Sequence, residues 1–167
     1  MRIAKGVAGI CIVRNARDLI GLTGGHYLRM GLGHIRFIDD ESSDGTYDLL
    51  LRLASKERRI SVSQVTHGEF RQAELMSEAA NELICRGFSI ILPFDVDEFW
   101  NVSGPMLEKR YAADPEITFN GKWINFVQSG KATTAWPLHA SSRTAPAASS
   151  WPRTSFSLDR SRRPCRR

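Results

Sequence analysis

Two aspartates separated by one residue, Asp95 and Asp97, carry the strongest chemical signal in this sequence of 167 residues. They end the apolar run of the stretch ILPFDVDEFW (91–100), a pattern typical of a buried strand. Side chains two residues apart on a strand point to the same face, so the two carboxylates would repel each other. Mg²⁺ and Mn²⁺ prefer oxygen ligands and remove this repulsion. The spacing therefore predicts a site for one of these ions, the plainer alternative being a solvated strand end.

A second acidic cluster, IDDESSDGT (38–46), follows another apolar run. Its residues from Asp40 onward fit the first positions of a calcium-binding loop, but Leu51 stands where that loop needs its glutamate, which excludes the loop. A carboxylate at the end of a strand can instead accept hydrogen bonds from a nucleobase or a ribose. The serines and Asp44 of this stretch are also suited to capping the following helix, and the two roles are compatible.

Apolar runs and helical patterns alternate along the first hundred residues. Strands are predicted over 7–14, 34–39, 60–66 and 88–95, and helices over 16–31, 42–57 and 69–87. This alternation predicts right-handed βαβ crossovers and a mostly parallel sheet, that is, an α/β fold. Ligands of such sheets bind at the carboxyl ends of the strands. Polar clusters follow three predicted strands and are expected to meet at that edge, namely 14–15, 39–45 and 95–98.

The composition changes sharply after residue 130. Residues 131–167 contain eight Lys or Arg and one acid, a net charge of +7, whereas residues 1–130 carry a net charge of −2. Ser, Ala, Arg and Pro dominate this segment, which cannot bury enough apolar surface to fold alone. We predict one folded domain over 1–130 and a basic, low-complexity tail over 131–167 that is either disordered or translated out of frame. A mildly acidic folded part does not predict a specific nucleic-acid partner.

The compartment is predicted from the cysteines and from hydropathy. No apolar run approaches the roughly 20 residues that cross a bilayer. The three cysteines are widely spaced and show no metal-ligand pattern. Cys11 and Cys85 lie in apolar stretches and are predicted to be reduced core residues, which suits the cytosol. We therefore predict a cytoplasmic protein, one that can also associate peripherally with a membrane.

Four stretches in this order, CIVRNARDLIGL, FIDDESSDGTYDLL, FRQAELMSEAA and ILPFDVDEFW, resemble the family 2 glycosyltransferases. The likeness is greatest to the bacterial branch with a DxDEF motif, and it covers about residues 7–130. It implies a GT-A-like fold, whose second half is incomplete here. It also implies a Mn²⁺ or Mg²⁺ ion, a nucleotide-sugar donor linked to UDP, and inversion at the anomeric carbon.

The resemblance also assigns residues by position. Asp40, together with Asp39, corresponds to the acid that recognises the nucleobase and ribose. Asp97 corresponds to the direct metal ligand, while Asp95 faces the ribose or a metal-bound water, and Glu98 supports the site. Ala16 departs from the branch, where a glutamate is expected. The implied donor-nucleotide residues are Arg14, Asn15, Asp39, Asp40, Gln72 and Asp95, and the implied metal ligands are Asp95 and Asp97.

No general base is identified in the sequence. The family places this residue after the metal motif, in the acceptor-binding half, and Glu108, Asp114 and Glu116 match no known pattern. Two functions stay open. One is a metal-dependent glycosyltransferase that acts on an unknown glycan or other hydroxyl acceptor; the other is a truncated nucleotide-sugar-binding fragment without turnover. A phosphatase with an aspartate nucleophile fits less well, because its acid pair follows the first strand.

Overall fold

The computed structural model describes residues 6–66, 72–117 and 124. Strands and helices alternate along these ranges, and the α/β fold is confirmed. Each of the four strands and three helices predicted within the first hundred residues has a counterpart, although the start of the helix predicted at 69–87 lies outside the described residues. In chain order the elements are β1 (Val7–Val13), α1 (Arg17–Arg29), β2 (His34–Asp40), α2 (Thr46–Lys56), β3 (Ile60–Val65), α3 (Gln72–Cys85), β4 (Ile90–Pro93) and α4 (Gly104–Ala113).

The strands β1 to β4 form one all-parallel sheet in the order β3-β2-β1-β4. Val13 of β1 pairs with Asp39 of β2, and Ile10 of β1 pairs with Pro93 of β4. The chain therefore moves outward from β1 to β3 and then returns to the other side of β1 for β4. In an open parallel sheet, such a reversal leaves a crevice beyond the carboxyl ends of the two strands, and ligands bind there.

Apolar side chains that alternate along the strands form a core on each face of the sheet. From β1, Cys11 and Val13 lie in a core covered by α1, α2 and α4. Ala8 and Ile10 lie in the opposite core, which α3 covers. Because β1 is buried on both faces, its sequence is a continuous apolar run rather than an alternating one.

Gly9 of β1 allows Phe94 to pack directly on the strand. A Cβ atom at this position would lie 2.7 Å from Phe94 Cε1 and 2.8 Å from Leu32 Cδ2, closer than a close-packed core permits. Phe94 also donates its backbone N–H to the carbonyl of Ile10 at 3.0 Å. The residue that precedes Asp95 is thereby fixed against the central strand.

Strand β4 ends at Pro93, before the two aspartates of the DVDE stretch. Pro93 has no N–H to extend the ladder, and residues 96–97 form a turn. The prediction that Asp95 and Asp97 share one face of a strand is therefore wrong, because neither residue belongs to the strand.

Helix α4 was not predicted, although its start signals are present in the sequence. The Ser103 hydroxyl accepts a hydrogen bond from Met106 N at 3.2 Å, and a proline occupies the first turn. Most of this helix is exposed, with Leu107 buried against the core, so it lacks the apolar stripe that marks a helix in sequence. The sequence also predicts one or two strands within 116–128, around the turn dipeptide Asn120-Gly121, and this stretch lies almost entirely outside the described residues.

The cysteine prediction is confirmed in one of the two positions. Cys11 is a free and fully buried thiol, whereas Cys85 is disulfide-bonded, so the prediction of a reduced thiol is wrong for Cys85. In the part of the chain that the structure describes, no helix is long and apolar enough to cross a membrane. The cytoplasmic location, the boundary at residue 130 and the nature of the tail stay predictions, since the tail lies outside the described residues.

Candidate functional site

A cavity of about 310 Å³ opens at the carboxyl ends of β1 and β4, where the strand order reverses. Its position is the one at which open parallel sheets bind ligands. Ile12 and Val13, at the end of β1, are among its apolar lining residues, and the polar lining residues are Arg14, Asn15, Asp18, Asp95 and Asp97. Two of the three predicted polar clusters, 14–15 and 95–98, therefore meet in one cavity.

Asp95 and Asp97 belong to a turn over residues 95–98, which we call the acidic turn. The turn is closed by a hydrogen bond from Glu98 N to Asp95 O at 3.0 Å. The Glu98 carboxylate lies 3.4 Å from Asp95 N, so it supports the backbone of the turn. Asp95 and Asp97 are both exposed and line the cavity, which leaves their carboxylates accessible to a ligand.

The donor set of the acidic turn fits a cation held jointly with a substrate. Within residues 6–66 and 72–117, no group of three or more His, Cys, Asp or Glu side chains is arranged to hold a metal ion by itself. Mg²⁺ is usually bound through one or two carboxylates, with waters and substrate phosphates as the other ligands. The two accessible carboxylates that line this cavity match a site in which waters and substrate phosphates complete the coordination of the ion.

Buried groups beneath the acidic turn experience its negative charge. Burial raises the pKa of the Cys11 thiol, and Asp95, Asp97 and Glu98 raise it further. Cys11 therefore stays a neutral thiol at physiological pH.

Arg14 connects the cavity with the end of β2. Its Nη1 atom lies 3.7 Å from Asp40 Oδ2, and the Arg14 side chain is 59% exposed whereas that of Asp40 is only 9% exposed. The guanidinium can therefore exchange its partner for an anionic ligand in the cavity. Asp40 itself is buried and is not among the residues that line the cavity.

Asp39 is fully buried and faces its own loop. Its Oδ2 atom accepts hydrogen bonds from Ser42 N at 3.2 Å and from Gln64 Nε2 at 3.1 Å. Its Oδ1 atom is buried and has no hydrogen-bond partner in the described structure. These contacts give Asp39 a structural role in shaping the β2–α2 loop, and a direct contact with a nucleotide stays a prediction.

Asn15 links the end of β1 to the β2–α2 loop. It adopts a left-handed backbone conformation with φ of 51°, which asparagine tolerates better than most residues. Its Oδ1 atom accepts from Ser43 N at 2.8 Å, and its own N–H donates to Ser42 Oγ at 2.9 Å. The side chain that was predicted to contact the nucleoside thus also holds two loops together.

Asp44 stabilises the first turns of two helices at once. Its Oδ1 atom accepts from Thr46 N at 2.9 Å, at the start of α2, and its Oδ2 atom accepts from Arg17 N at 3.2 Å, at the start of α1. The hydrogen bond from the Thr46 hydroxyl is the main cause of the lowered pKa of Asp44, and these backbone hydrogen bonds add to it. The N-cap residue of α2 is Gly45, which makes no side-chain cap hydrogen bond, so the capping prediction is wrong for the N-cap position, although Asp44 accepts from the first N–H of the helix.

Three further positions complete the comparison with the sequence. Gln72 is the exposed first residue of α3 and is not among the residues that line the cavity. Asp18, in the first turn of α1, lines the cavity and was missed. The sequence signal that could have identified Asp18 is its position, since it is an acid in the first helical turn after the polar end of β1. Ala16, where the resemblance leads one to expect a glutamate, is buried and donates its N–H to Thr46 Oγ1 at 2.9 Å.

Comparison with known proteins gives one kind of match. No family model matches this sequence, and no curated protein matches it. Among solved structures, the chain is similar to the mannosyltransferase PcManGT from Pyrobaculum calidifontis in complex with GDP-Man and Mn²⁺, with a TM-score of 0.46 and 21% identity. The match covers 66% of this chain and 33% of that one, so the chain spans about a third of the length of that protein. Similarity at this level concerns the fold and carries no conclusion about function.

Proposed function

We propose that this chain binds a nucleotide sugar together with a divalent metal ion in the cavity between β1 and β4, as the donor-binding part of a glycosyltransferase. One observation supports this most strongly: two accessible carboxylates, Asp95 and Asp97, and the guanidinium of Arg14 line one cavity at the reversal point of a parallel sheet. Ligand sites in proteins usually have volumes of roughly 300–1,000 Å³, and this cavity lies at the lower end of that range.

The metal-binding part of the proposal rests on the acidic turn. Asp97 binds the ion directly, and Asp95 contacts the ribose or a metal-bound water. When bound by these residues, a Mn²⁺ or Mg²⁺ ion would supply positive charge to offset the diphosphate leaving group. Both aspartates approach the cavity from one short turn, so a single bound diphosphate can bridge the region between this turn and Arg14.

The nucleoside part of the proposal rests on the ends of β1 and β2. In it, Asp40 accepts hydrogen bonds from the base and ribose of a UDP-linked donor once Arg14 has turned to the phosphates. Asn15 lines the same cavity, and Gln72 contacts the donor from the start of α3. Asp39 contributes by holding the loop that carries Asp40, through Ser42 N and Gln64 Nε2.

Transfer of the sugar to a hydroxyl acceptor, with inversion, requires a general base. The described acids that follow the acidic turn do not line the cavity. Glu108 adjoins Gly6 at the amino end of β1, since a Cβ atom on Gly6 would lie within contact distance of its carboxylate. Asp114 accepts a hydrogen bond from Glu116 N at 3.0 Å. This arrangement favours the second candidate, a nucleotide-sugar-binding chain without turnover.

Two measurements test the proposal and separate the candidates. Calorimetric titration with UDP and with GDP, each with Mn²⁺ and with EDTA, tests metal-dependent binding without relying on catalysis. Release of UDP or GDP from UDP- and GDP-sugars, in the presence of simple glycan acceptors, then tests turnover. Metal-dependent binding with acceptor-dependent release supports a transferase, and binding without release supports the second candidate. Metal-independent binding, or no binding, contradicts both.

A further inference from the structure

One face of helix α1 makes hydrogen bonds to the backbone of the acidic turn and the residues that follow it. Thr23 Oγ1 donates to the carbonyl of Val96, and Tyr27 OH donates to the carbonyl of Glu98 at 3.0 Å. His26 Nε2 lies 2.9 Å from the carbonyl oxygen of Trp100. Positions 23, 26 and 27 lie on one face of a helix. This face therefore contacts the backbone carbonyls of residues 96, 98 and 100.

Two of these carbonyls belong to residues directly next to Asp97, one of the two aspartates that line the cavity. Val96 is the residue between Asp95 and Asp97, and Glu98 directly follows Asp97. A hydrogen bond to the Val96 carbonyl therefore fixes the orientation of the peptide unit from which Asp97 projects. Because β4 ends at Pro93, no strand ladder of the described sheet performs this function for the acidic turn.

The hydroxyl groups involved are held in place themselves. Thr23 and Tyr27 are both fully buried, and the Tyr27 ring stacks on Phe94 with centroids 3.7 Å apart. His26 packs edge-on against Phe99, with ring centroids 5.3 Å apart. The Tyr27 hydroxyl oxygen also accepts a long hydrogen bond from the backbone N–H of Trp100, with an N···O distance of 3.5 Å. Packed side chains of α1 therefore make the hydrogen bonds to the turn.

We infer that Thr23 and Tyr27, with His26, are positioning residues that preorganise Asp95 and Asp97 for a divalent cation. This inference rests on the proposed function and assigns it three residues that no motif of the sequence indicated. Two like charges on one turn repel each other, and a turn that is free to rearrange would separate them. Anchoring the carbonyls to α1 keeps both carboxylates on the cavity, so less ordering remains to be done when the ion binds.

The test compares the gain in UDP affinity on adding Mn²⁺ between the wild type and three variants. Thr23→Val keeps the shape of the side chain and removes its hydroxyl, and Tyr27→Phe removes a hydroxyl while keeping the stacked ring. Each is expected to lower the Mn²⁺-dependent gain about three- to tenfold, as the loss of one hydrogen bond would. Thr23→Ser retains the donor and is expected to restore the gain.

A control separates positioning from general stability. Ser61→Ala removes a hydroxyl that lies 2.8 Å from His34 Nε2 at the amino end of the sheet, far from the cavity. It is expected to lower the melting temperature but not the Mn²⁺-dependent gain. If Thr23→Val does not fold, Tyr27→Phe decides the question alone.

The outcomes distinguish the inference from the function on which it rests. A wild type that shows the Mn²⁺ effect, with folded Thr23→Val and Tyr27→Phe variants that show the same effect, overturns the positioning role. A wild type that binds UDP equally with and without Mn²⁺ overturns the proposed function itself. A reduced gain in both variants, restored by Thr23→Ser and unaffected by Ser61→Ala, supports the inference.

Discussion

At the scale of single residues, Asp95 and Asp97 are neighbours on a turn whose geometry is set by contacts on both sides. Phe94 is held on β1 by a hydrogen bond to Ile10 O at 3.0 Å, and α1 holds the carbonyls that follow. The two carboxylates are exposed and so retain most of their hydration. They can therefore attract a cation by their charge and position, but two carboxylates do not by themselves complete its coordination.

Replacing Asp97 by asparagine is expected to reduce the effect of Mn²⁺ on UDP affinity by roughly tenfold or more, because a neutral ligand holds a hard cation less tightly. The change preserves size, so the fold is expected to stay intact. Asp48→Asn, an equal charge change on the exposed first turn of α2, serves as the matched control. An equal effect of the two substitutions in calorimetry would show that only net charge matters.

Replacing Asp40 by asparagine is expected to weaken UDP binding about three- to tenfold, both with Mn²⁺ and with EDTA, because contacts to base and ribose do not involve the ion. The side chain is only 9% exposed and lies near Arg14, so asparagine is a gentler change than alanine. If calorimetry shows unaltered affinity in both conditions, Asp40 does not contact the nucleotide and only pairs with Arg14.

At the scale of elements, the loop after β2 and the start of α1 form one hydrogen-bonded unit. Asn15, Asp44 and Thr46 make the connecting bonds, and they bring the ends of β1 and β2 together beside the cavity. The unit explains why the SSDGT stretch carries so many small polar residues. They satisfy the backbone donors of two helix N-termini, which have no partners within their own helices.

Thr46→Val is expected to destabilise the protein by about 1–3 kcal/mol, because it leaves the buried N–H of Ala16 without its acceptor. The residue is fully buried, and valine matches its shape, so the loss reflects the hydroxyl alone. Urea unfolding of the variant and the wild type measures the difference. A change within a few tenths of a kcal/mol would show that water replaces the hydroxyl.

His34, at the start of β2, is expected to make stability depend on pH. Burial, with the charges of Arg86 and Arg36, lowers the pKa of His34 to about 4, against about 6.5 in an unfolded chain. The unfolded chain therefore binds a proton that the folded chain does not. The stabilisation is complete above pH 6.5 and is lost as the pH falls from 6.5 towards 4.

The corresponding measurement compares urea unfolding at two pH values. Between about pH 7 and pH 5, His34 is expected to cost the wild type about 2 kcal/mol of unfolding free energy. His34→Gln cannot titrate and is expected to lose correspondingly less over the same interval. If both proteins lose the same amount, other groups cause the dependence.

Much of this element structure follows from local patterns, whereas the hydrogen bonds of the site do not. Buried parallel strands and amphipathic helices leave a periodic signal, and parallel pairing brings strand ends to one edge. The hydrogen bonds from Ser43 N to Asn15 Oδ1 and from Thr23 Oγ1 to the Val96 carbonyl join residues far apart in sequence. They depend on the packing of α1 against the sheet. The end of β4 at Pro93 was likewise missed, because apolar character continues through Phe94.

At the scale of the whole molecule, the strand order β3-β2-β1-β4 places one crevice between β1 and β4, and the polar residues of both strand ends line it. Helices cover both faces of the sheet, so the described fold presents its chemistry at the carboxyl edge. Residues 1–130 carry a net charge of −2, and much of the acidic character near the crevice comes from the acidic turn. Under the proposed function, an anionic nucleotide would therefore need a cation to bind beside Asp95 and Asp97.

The dissociation constant of UDP in the presence of Mn²⁺ and of EDTA tests this account most directly. Isothermal titration of the full chain measures both values on one preparation. We predict that Mn²⁺ tightens binding by about tenfold or more, since Asp95 and Asp97 would hold an ion whose charge favours the diphosphate. Equal dissociation constants in the two conditions, or no binding in either, would contradict the account.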